Sequence, residues 1–140
     1  MLTSITISQI YVLDQDEALD FYVGKLGFQV QTDMQFGPMR FLTVALPSDP
    51  GRAVLLERPG APGLSEEQAE QVRDLVSKGA AGGHLFFATD DAYKTHAELA
   101  ERGVDVPEEP VVQPYGIDFG LRDPFGNSVR VAQMTPPPTS

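Results

Sequence analysis

The spacing of apolar residues changes from strand-like to helix-like in the opening segment of the chain. Ile5 to Val12 is rich in β-branched residues and is predicted to be a strand. Asp14 to Asp16 supply side-chain oxygens that can cap a helix over Glu17 to Leu26, where apolar residues recur at helical spacing. Gly27 is a typical residue to follow such a helix. The helix therefore has one apolar face that must pack against a sheet.

More strand-like runs follow this helix and complete a first module. Gly37-Pro38 and the turn-rich stretch Pro47 to Gly51 separate these runs. The predicted strands are Phe28 to Gln35, Met39 to Leu46 and Arg52 to Glu57. Residues 5–58 are therefore predicted to form a β-α-β-β-β module.

A polar helix connects this module to the rest of the chain. Proline and glycine residues from Pro59 to Gly63 break the strand pattern. Ser65 and Gln68 have the spacing of a capping box ahead of a helix over Glu66 to Lys78. The segment 64–80 is therefore interpreted as a connector.

The second half repeats the first in pattern. A strand is predicted over His84 to Thr89, Asp90-Asp91 resembles a cap, and a helix follows over Ala92 to Arg102. Gly27 and Gly103 are 76 residues apart (103 − 27), and at that offset Asp14 falls on Asp90. Strands are then predicted at Val104 to Val106, Val111 to Gln113, Gly116 to Arg122 and Ser128 to Gln133. Residues 83–134 form a second module and 135–140 a tail, all within one domain over 1–140.

Composition limits the classes of function. The chain has 140 residues with 41% hydrophobic content and no run long enough to span a bilayer, so one core of ordinary size is expected. It contains no cysteine, which excludes disulfides, thiolate nucleophiles and cysteine-bound zinc. No secretory leader is recognised, so a cytoplasmic location is expected. The net charge of −10 disfavours nucleic acid and anionic membranes as partners.

Three motifs in order carry a family resemblance. They are DQDEALDFYVGKLGF from Asp14 to Phe28, Gly83-His84, and Asp123-Pro124-Phe125-Gly126-Asn127 before the last strand. From about Ile5 to Gln133 the chain resembles the vicinal oxygen chelate superfamily, also called the glyoxalase/bleomycin resistance protein/extradiol dioxygenase superfamily. The resemblance implies an α+β fold in which two βαβββ modules form a curled mixed sheet with a central cup, usually completed as a homodimer. Members hold a divalent metal in that cup, or bind a drug there without one.

The resemblance places up to four metal ligands, and this sequence keeps two. Glu57 and His84 match ligand positions, whereas Ile7 stands at a third and has no donor atom. Arg130 stands at the fourth, where the family usually has a glutamate. Because a guanidinium is always protonated and repels a divalent ion, no metal cofactor is expected. A weakly bound divalent ion on Glu57 and His84 is the alternative.

Glu57, His84 and Arg130 remain the candidate catalytic residues. Arg130 and Glu57 occupy places that converge in the family, so they could form an ion pair that replaces the metal structurally, with His84 beside them. Alternatively, Arg130 could receive a carboxylate or oxyanion of a ligand while Glu57 or His84 moves a proton. A purely structural role for all three is the third alternative.

Further residues are expected to line the cup. Core packing is the alternative for Phe119, His96 is interpreted as a surface residue on a helix, and the turn Asp123 to Asn127 is taken as non-catalytic. The candidate ligand-binding residues are Gln9, Phe36, Arg40, Phe86, Tyr115, Phe119 and Ser128.

Three functions are compatible with these residues. The first is a metal-free drug- or metabolite-binding homodimer that holds a hydrophobic compound, and its net charge of −10 would attract a cationic one. The second is a metal-dependent lyase, isomerase or dioxygenase that uses Glu57 and His84. The third is a metal-independent enzyme with His84 or Glu57 as general base and Arg130 as the partner of an oxyanion.

Overall fold

Two four-stranded sheets and three helices make up the described part of the chain. The computed structural model describes residues 1–81 and 83–135. The elements in chain order are β1 (Ile7–Tyr11), α1 (Gln15–Tyr22), β2 (Gln29–Phe36), β3 (Met39–Leu46), β4 (Asp49–Glu57), α2 (Glu66–Ser77), β5 (His84–Ala88), α3 (Ala92–Glu101), β6 (Val111–Gln113), β7 (Gly116–Arg122) and β8 (Ser128–Met134).

Both sheets have the same strand order. The first runs β1-β4-β3-β2 and the second β5-β8-β7-β6. In each sheet the first and last strands of a module pair in parallel, and the other pairs are antiparallel. The predicted α+β fold of two βαβββ modules is confirmed.

Side-chain caps start the three helices. Asp14 accepts a hydrogen bond from the Glu17 amide, and Ser65 and Gln68 form the predicted capping box. The cap of α3 is Asp91, which accepts from the Lys94 amide. The repeat offset at the caps is therefore 77 residues (91 − 14), so the match of Asp14 with Asp90 is wrong by one position.

Some element boundaries differ from those predicted. No strand forms over Val104 to Val106, because Val104 packs into the core and its amide bonds back to Leu99 at the end of α3. α1 ends at Tyr22 rather than Leu26, since the following amides shift to wider turns such as Gly24 to Leu19. β4 begins at Asp49, so the turn before it is shorter than Pro47 to Gly51.

One core joins the two modules. It contains side chains from α1, α3 and one face of each sheet, among them Ile10, Leu42, Phe119 and Val131. Phe28 of the first module and Phe87 of the second meet edge to face, with ring centroids 5.6 Å apart. The core therefore lies on the helix side of both sheets.

A buried turn links the modules through hydrogen bonds. Asp123 accepts from the Tyr22 hydroxyl at 2.7 Å and from the amides of Phe125 and Asn127. The Asn127 side chain donates to Asp123 and to the carbonyl oxygen of Tyr11. Burial, and then the Asp123 carboxylate, raise the pKa of Tyr22 far above its ordinary value, so its hydroxyl stays a donor.

No described helix is long and apolar enough to cross a membrane. The predicted tail lies outside the described residues from Pro136 onward, as does Gly82 after the connecting helix.

Removing the Tyr22 hydroxyl tests the link between the modules. We expect Tyr22→Phe to lower the free energy of unfolding by about 1–3 kcal/mol, because Asp123 loses a buried donor. Urea titration measures the loss. Tyr93→Phe, at an exposed position on α3, is the matched control and should change little. Equal stability of the two variants would contradict the role given to Tyr22.

Candidate functional site

Each sheet has a second face that points away from the core. Successive residues of a strand face opposite sides of the sheet, so the residues that alternate with the core residues lie together on this second face. The first open face comprises Gln9, Phe36, Phe41, Thr43, Leu55 and Glu57. The second open face comprises His84, Phe86, Asp118, Gly120, Ser128 and Arg130.

Aromatic rings stand exposed on both open faces. Phe36 is 54% exposed and meets Phe41 edge to face, whereas Phe86 is 72% exposed. His84 stacks on Phe86 with ring centroids 4.3 Å apart. Tyr115 stands at the rim of the second open face. A single chain therefore leaves flat apolar surfaces uncovered on both sheets.

Two of the residues expected to line the cup lie on the core side instead. Arg40 points toward α1, where it forms ion pairs of 2.9 Å with Asp33 and Asp16. Phe119 is fully buried and packs edge to face against His96. Their places in the alternation of β3 and β7 put them opposite the open faces, so both assignments to the cup are wrong.

His96 also differs from its interpretation as a surface residue. Its side chain is 14% exposed, and its Nε2 donates to the carbonyl oxygen of Glu108 at 3.0 Å. It thereby joins α3 to the loop before β6.

Arg130 occupies the centre of the second open face. Its Nε donates to Asp118 at 3.1 Å, and its Nη2 lies 3.6 Å from Glu108 Oε1. Tyr115 donates a further hydrogen bond of 2.7 Å to Asp118. Burial of Asp118 would raise its pKa, but the hydrogen bonds from Arg130 and Tyr115 outweigh burial and hold that pKa below its ordinary value. The guanidinium is thus fixed by a buried, ionised carboxylate.

Gly120 makes room for this charged group. A Cβ at this position would lie 2.7 Å from Glu108 Oε2 and 2.8 Å from Arg130 Nη1. Both atoms are the ends of flexible side chains, so a larger residue here would displace the two charged groups from their present positions.

The proposed ion pair of Arg130 with Glu57 does not form within the described chain. The ion-pair partners of Arg130 are Asp118 and Glu108. The physical reason is that Glu57 on β4 and Arg130 on β8 stand on different sheets. In register, Arg130 pairs with Phe86 as Leu55 pairs with Gln9, so Arg130 corresponds to Leu55 and not to Glu57.

Glu57 forms no ion pair in the part of the chain that the structure describes. It lies beside Tyr11 across the β1/β4 pair. Partial burial raises its pKa. Burial and then the charge of Glu57 raise the pKa of Tyr11.

The four metal-ligand places do not supply a metal-binding set within one chain. Ile7 offers no donor, and Arg130 brings a positive charge that Asp118 holds in place. Across the described residues, no group of three His, Cys, Asp or Glu side chains comes close enough to hold an ion. The residues present therefore do not fit the divalent ion that the fold implies.

Two buried polar atoms in the described structure lack a hydrogen-bond partner. They are Thr43 Oγ1 and Asp118 Oδ1, and both residues belong to open faces. The Gln113 amide lies close enough to contribute to the lowered pKa of Asp118, but donates no hydrogen bond to Oδ1. Buried polar atoms normally have a partner, and these two have none among the described residues.

Sequence reasoning missed several residues of the site. The alternation of Ile117, Phe119 and Leu121 with Asp118 and Gly120 was a readable signal for the open face of β7. Glu108 carried no such signal, because a loop brings it to Arg130. Gln9, Phe36, Phe86 and Ser128 lie on the open faces, and their role as ligand contacts stays a prediction.

Comparisons with known proteins identify relatives over nearly the whole chain. The model of the Glyoxalase/Bleomycin resistance protein/Dioxygenase superfamily matches residues 4–131. The uncharacterized protein YurT of Bacillus subtilis (strain 168) is 32% identical over 130 residues, covering 92% of this chain and 98% of YurT.

Solved structures agree with this assignment. The crystal structure of UcmS2 has a TM-score of 0.85 at 36% identity, covering 94% of this chain and 98% of UcmS2. TnmS3, an antibiotic binding protein from Streptomyces sp. CB03234, has a TM-score of 0.75 at 27% identity, covering 96% of this chain and 98% of TnmS3.

The raised pKa of Glu57 predicts a pH-dependent effect on stability. The folded chain holds this proton more tightly than the unfolded chain, so ionisation of Glu57 costs stability as the pH rises through its pKa. We expect Glu57→Gln to raise Tm at neutral pH, and the gain to shrink as the pH falls through the carboxyl range.

Differential scanning fluorimetry between pH 4 and pH 8 measures this gain. Glu101→Gln, at the exposed end of α3, removes the same charge without the burial and serves as the control. A gain equal to that of the control at every pH would refute the burial argument.

Proposed function

Because this chain belongs to the Glyoxalase/Bleomycin resistance protein/Dioxygenase superfamily, we propose that it binds a planar aromatic small molecule of the antibiotic type, and does so without a metal. One observation carries the proposal. Exposed aromatic rings and the exposed polar side chains of Gln9 and His84 share the open faces, where Ile7 and Arg130 stand at the places of metal ligands. Such faces offer stacking surface and hydrogen-bond groups, which are what an aromatic ligand needs.

The relatives support a binding role. TnmS3 is described as an antibiotic binding protein, and this chain is similar to it over nearly its whole length. In our proposal Phe36 and Phe86 stack on the ligand, while Gln9 and Ser128 provide polar contacts. Tyr115 contacts the ligand from the rim, and Glu57 and His84 orient its polar groups.

A second copy of the chain completes the cup in this proposal. The first open face of one protomer would face the second open face of its partner. The matching strand orders support this arrangement, because each module offers the same curled sheet. The edge strands β1 and β5 and the exposed rings of both faces also need cover, since unpaired edges and apolar patches favour association.

Arg130 takes the place of the metal in this arrangement. Its positive charge is balanced by Asp118, so it adds an oriented donor without requiring a ligand of opposite charge. A metal-independent enzyme is the second candidate, favoured only by the raised pKa of Glu57, which suits a proton-transfer group. Mass spectrometry of the recovered ligand separates the two, because a binding protein returns it unchanged.

Ligand binding without metal is the test of this function. A panel of planar aromatic antibiotics is screened by thermal shift in EDTA, and we expect at least one to raise Tm. Phe86→Ala should weaken its binding by about 2- to 10-fold, the range expected for one aromatic contact. Tyr93→Ala, an exposed aromatic on α3 away from the open faces, is the matched control. A Tm shift that requires a divalent ion, or equal loss in both variants, would refute the proposal.

A further inference from the structure

A small cavity lies at the free end of the Arg130 guanidinium. Its volume is about 210 Å³, and its walls include His84, Glu108, Gly120, Ser128 and Arg130. It opens on the second open face, next to the exposed ring of Phe86.

The Arg130 side chain is held from one side only. Its Nε is bound to Asp118, whereas Nη1 and Nη2 donate no hydrogen bond to any described residue. Glu108 Oε1 lies 3.6 Å from Nη2, which is too long for a hydrogen bond. The guanidinium is therefore held in place through Nε, and its Nη1 and Nη2 donors have no hydrogen-bond acceptor among the described residues.

A backbone amide points into the same cavity. β6 pairs with β7 only from Gly116 to Asp118, so the Gly120 amide on that edge has no strand partner. It donates to Glu108 Oε1 at 3.3 Å. One carboxylate oxygen thus lies near both a backbone N–H and a guanidinium, the two kinds of donor that bind carboxylates most strongly.

We propose that this cavity binds the carboxylate of an aromatic acid, and that Glu108 occupies its place until the ligand displaces it. The inference rests on the proposed function, since it names the ligand class for that same face. Arg130 and the Gly120 amide bind the carboxylate, and Phe86 carries the aromatic ring. The neighbouring positions of Phe86 and Arg130 on β5 and β8 set the distance between the two groups.

The contacts of Glu108 favour its displacement. They are 3.3 Å and 3.6 Å long, whereas charge-assisted bonds are typically about 2.7–2.9 Å. The side chain is 52% exposed and can turn into solvent. His96 holds the backbone carbonyl of Glu108, so the loop need not move when the side chain leaves.

The net charge at the cavity rises when Glu108 leaves. Arg130 and Arg122 are balanced by Glu108 and the buried Asp118 before it leaves, and two cations face one anion afterwards. The net charge of −10 opposes an anion at long range, but salt screens it beyond about 8 Å at physiological ionic strength. Contacts within the cavity therefore decide the affinity.

Titration with 2-naphthoate, followed by NMR, tests this site. We expect Glu108→Ala to lower the Kd about tenfold, because the internal competitor is gone, and Glu108→Gln to lower it less. Glu109→Ala removes a neighbouring charge that is more exposed, and it should leave the Kd unchanged. Arg130→Gln should raise the Kd at least about tenfold, since the fork of donors is lost.

The uncharged probe 2-naphthamide separates this inference from the proposed function. Its binding should not respond to Glu108→Ala. If naphthamide binds and naphthoate gains nothing from Glu108→Ala, the carboxylate site is refuted while aromatic binding stands. If neither probe nor any compound of the antibiotic panel binds any variant, both proposals fail. Because Glu108 is an exposed loop residue, its variants remain informative even if Arg130→Gln does not fold.

Discussion

The buried carboxylate of Asp123 is the contact on which the geometry of the two modules depends. It binds Tyr22 of the first module and the amides of its own turn, and Asn127 extends the same network to the Tyr11 carbonyl. The Asn127 side chain also lies where a Cβ of residue 83 would stand, so glycine is required there. Gly83 directly precedes His84, and the turn thereby sets where the second open face begins.

The open faces follow from this core. Both sheets direct one row of side chains to the helices, and the other row leaves Phe36 and Phe86 exposed in a single chain. On the second face, Asp118 gives Arg130 a fixed position and neutralises it. A metal-binding cup needs converging anionic and imidazole donors, whereas this cup offers aromatic rings and a bound guanidinium. That difference in chemistry is why we propose binding of an aromatic ligand rather than chelation.

Local signals in the sequence predicted the elements well. The caps at Asp14 and Ser65 were readable because each depends on residues three positions apart. The positions of Arg40 and Phe119 were wrong because a side chain's face depends on strand register, which neighbouring strands determine. Glu108 was not predictable, since its contact with Arg130 bridges a loop and a strand. The expected pair of Glu57 and Arg130 does not form because their strands belong to different sheets, and the sequence does not show which strands share a sheet.

The central claim is that two copies join their open faces into one cup that needs no metal. Light scattering of the purified protein in EDTA tests it most directly, because EDTA removes any metal that could bridge the protomers. The account predicts twice the 15.2 kDa mass of one chain at micromolar concentration. A mass of 15.2 kDa would contradict it, since each open face would then remain exposed to water.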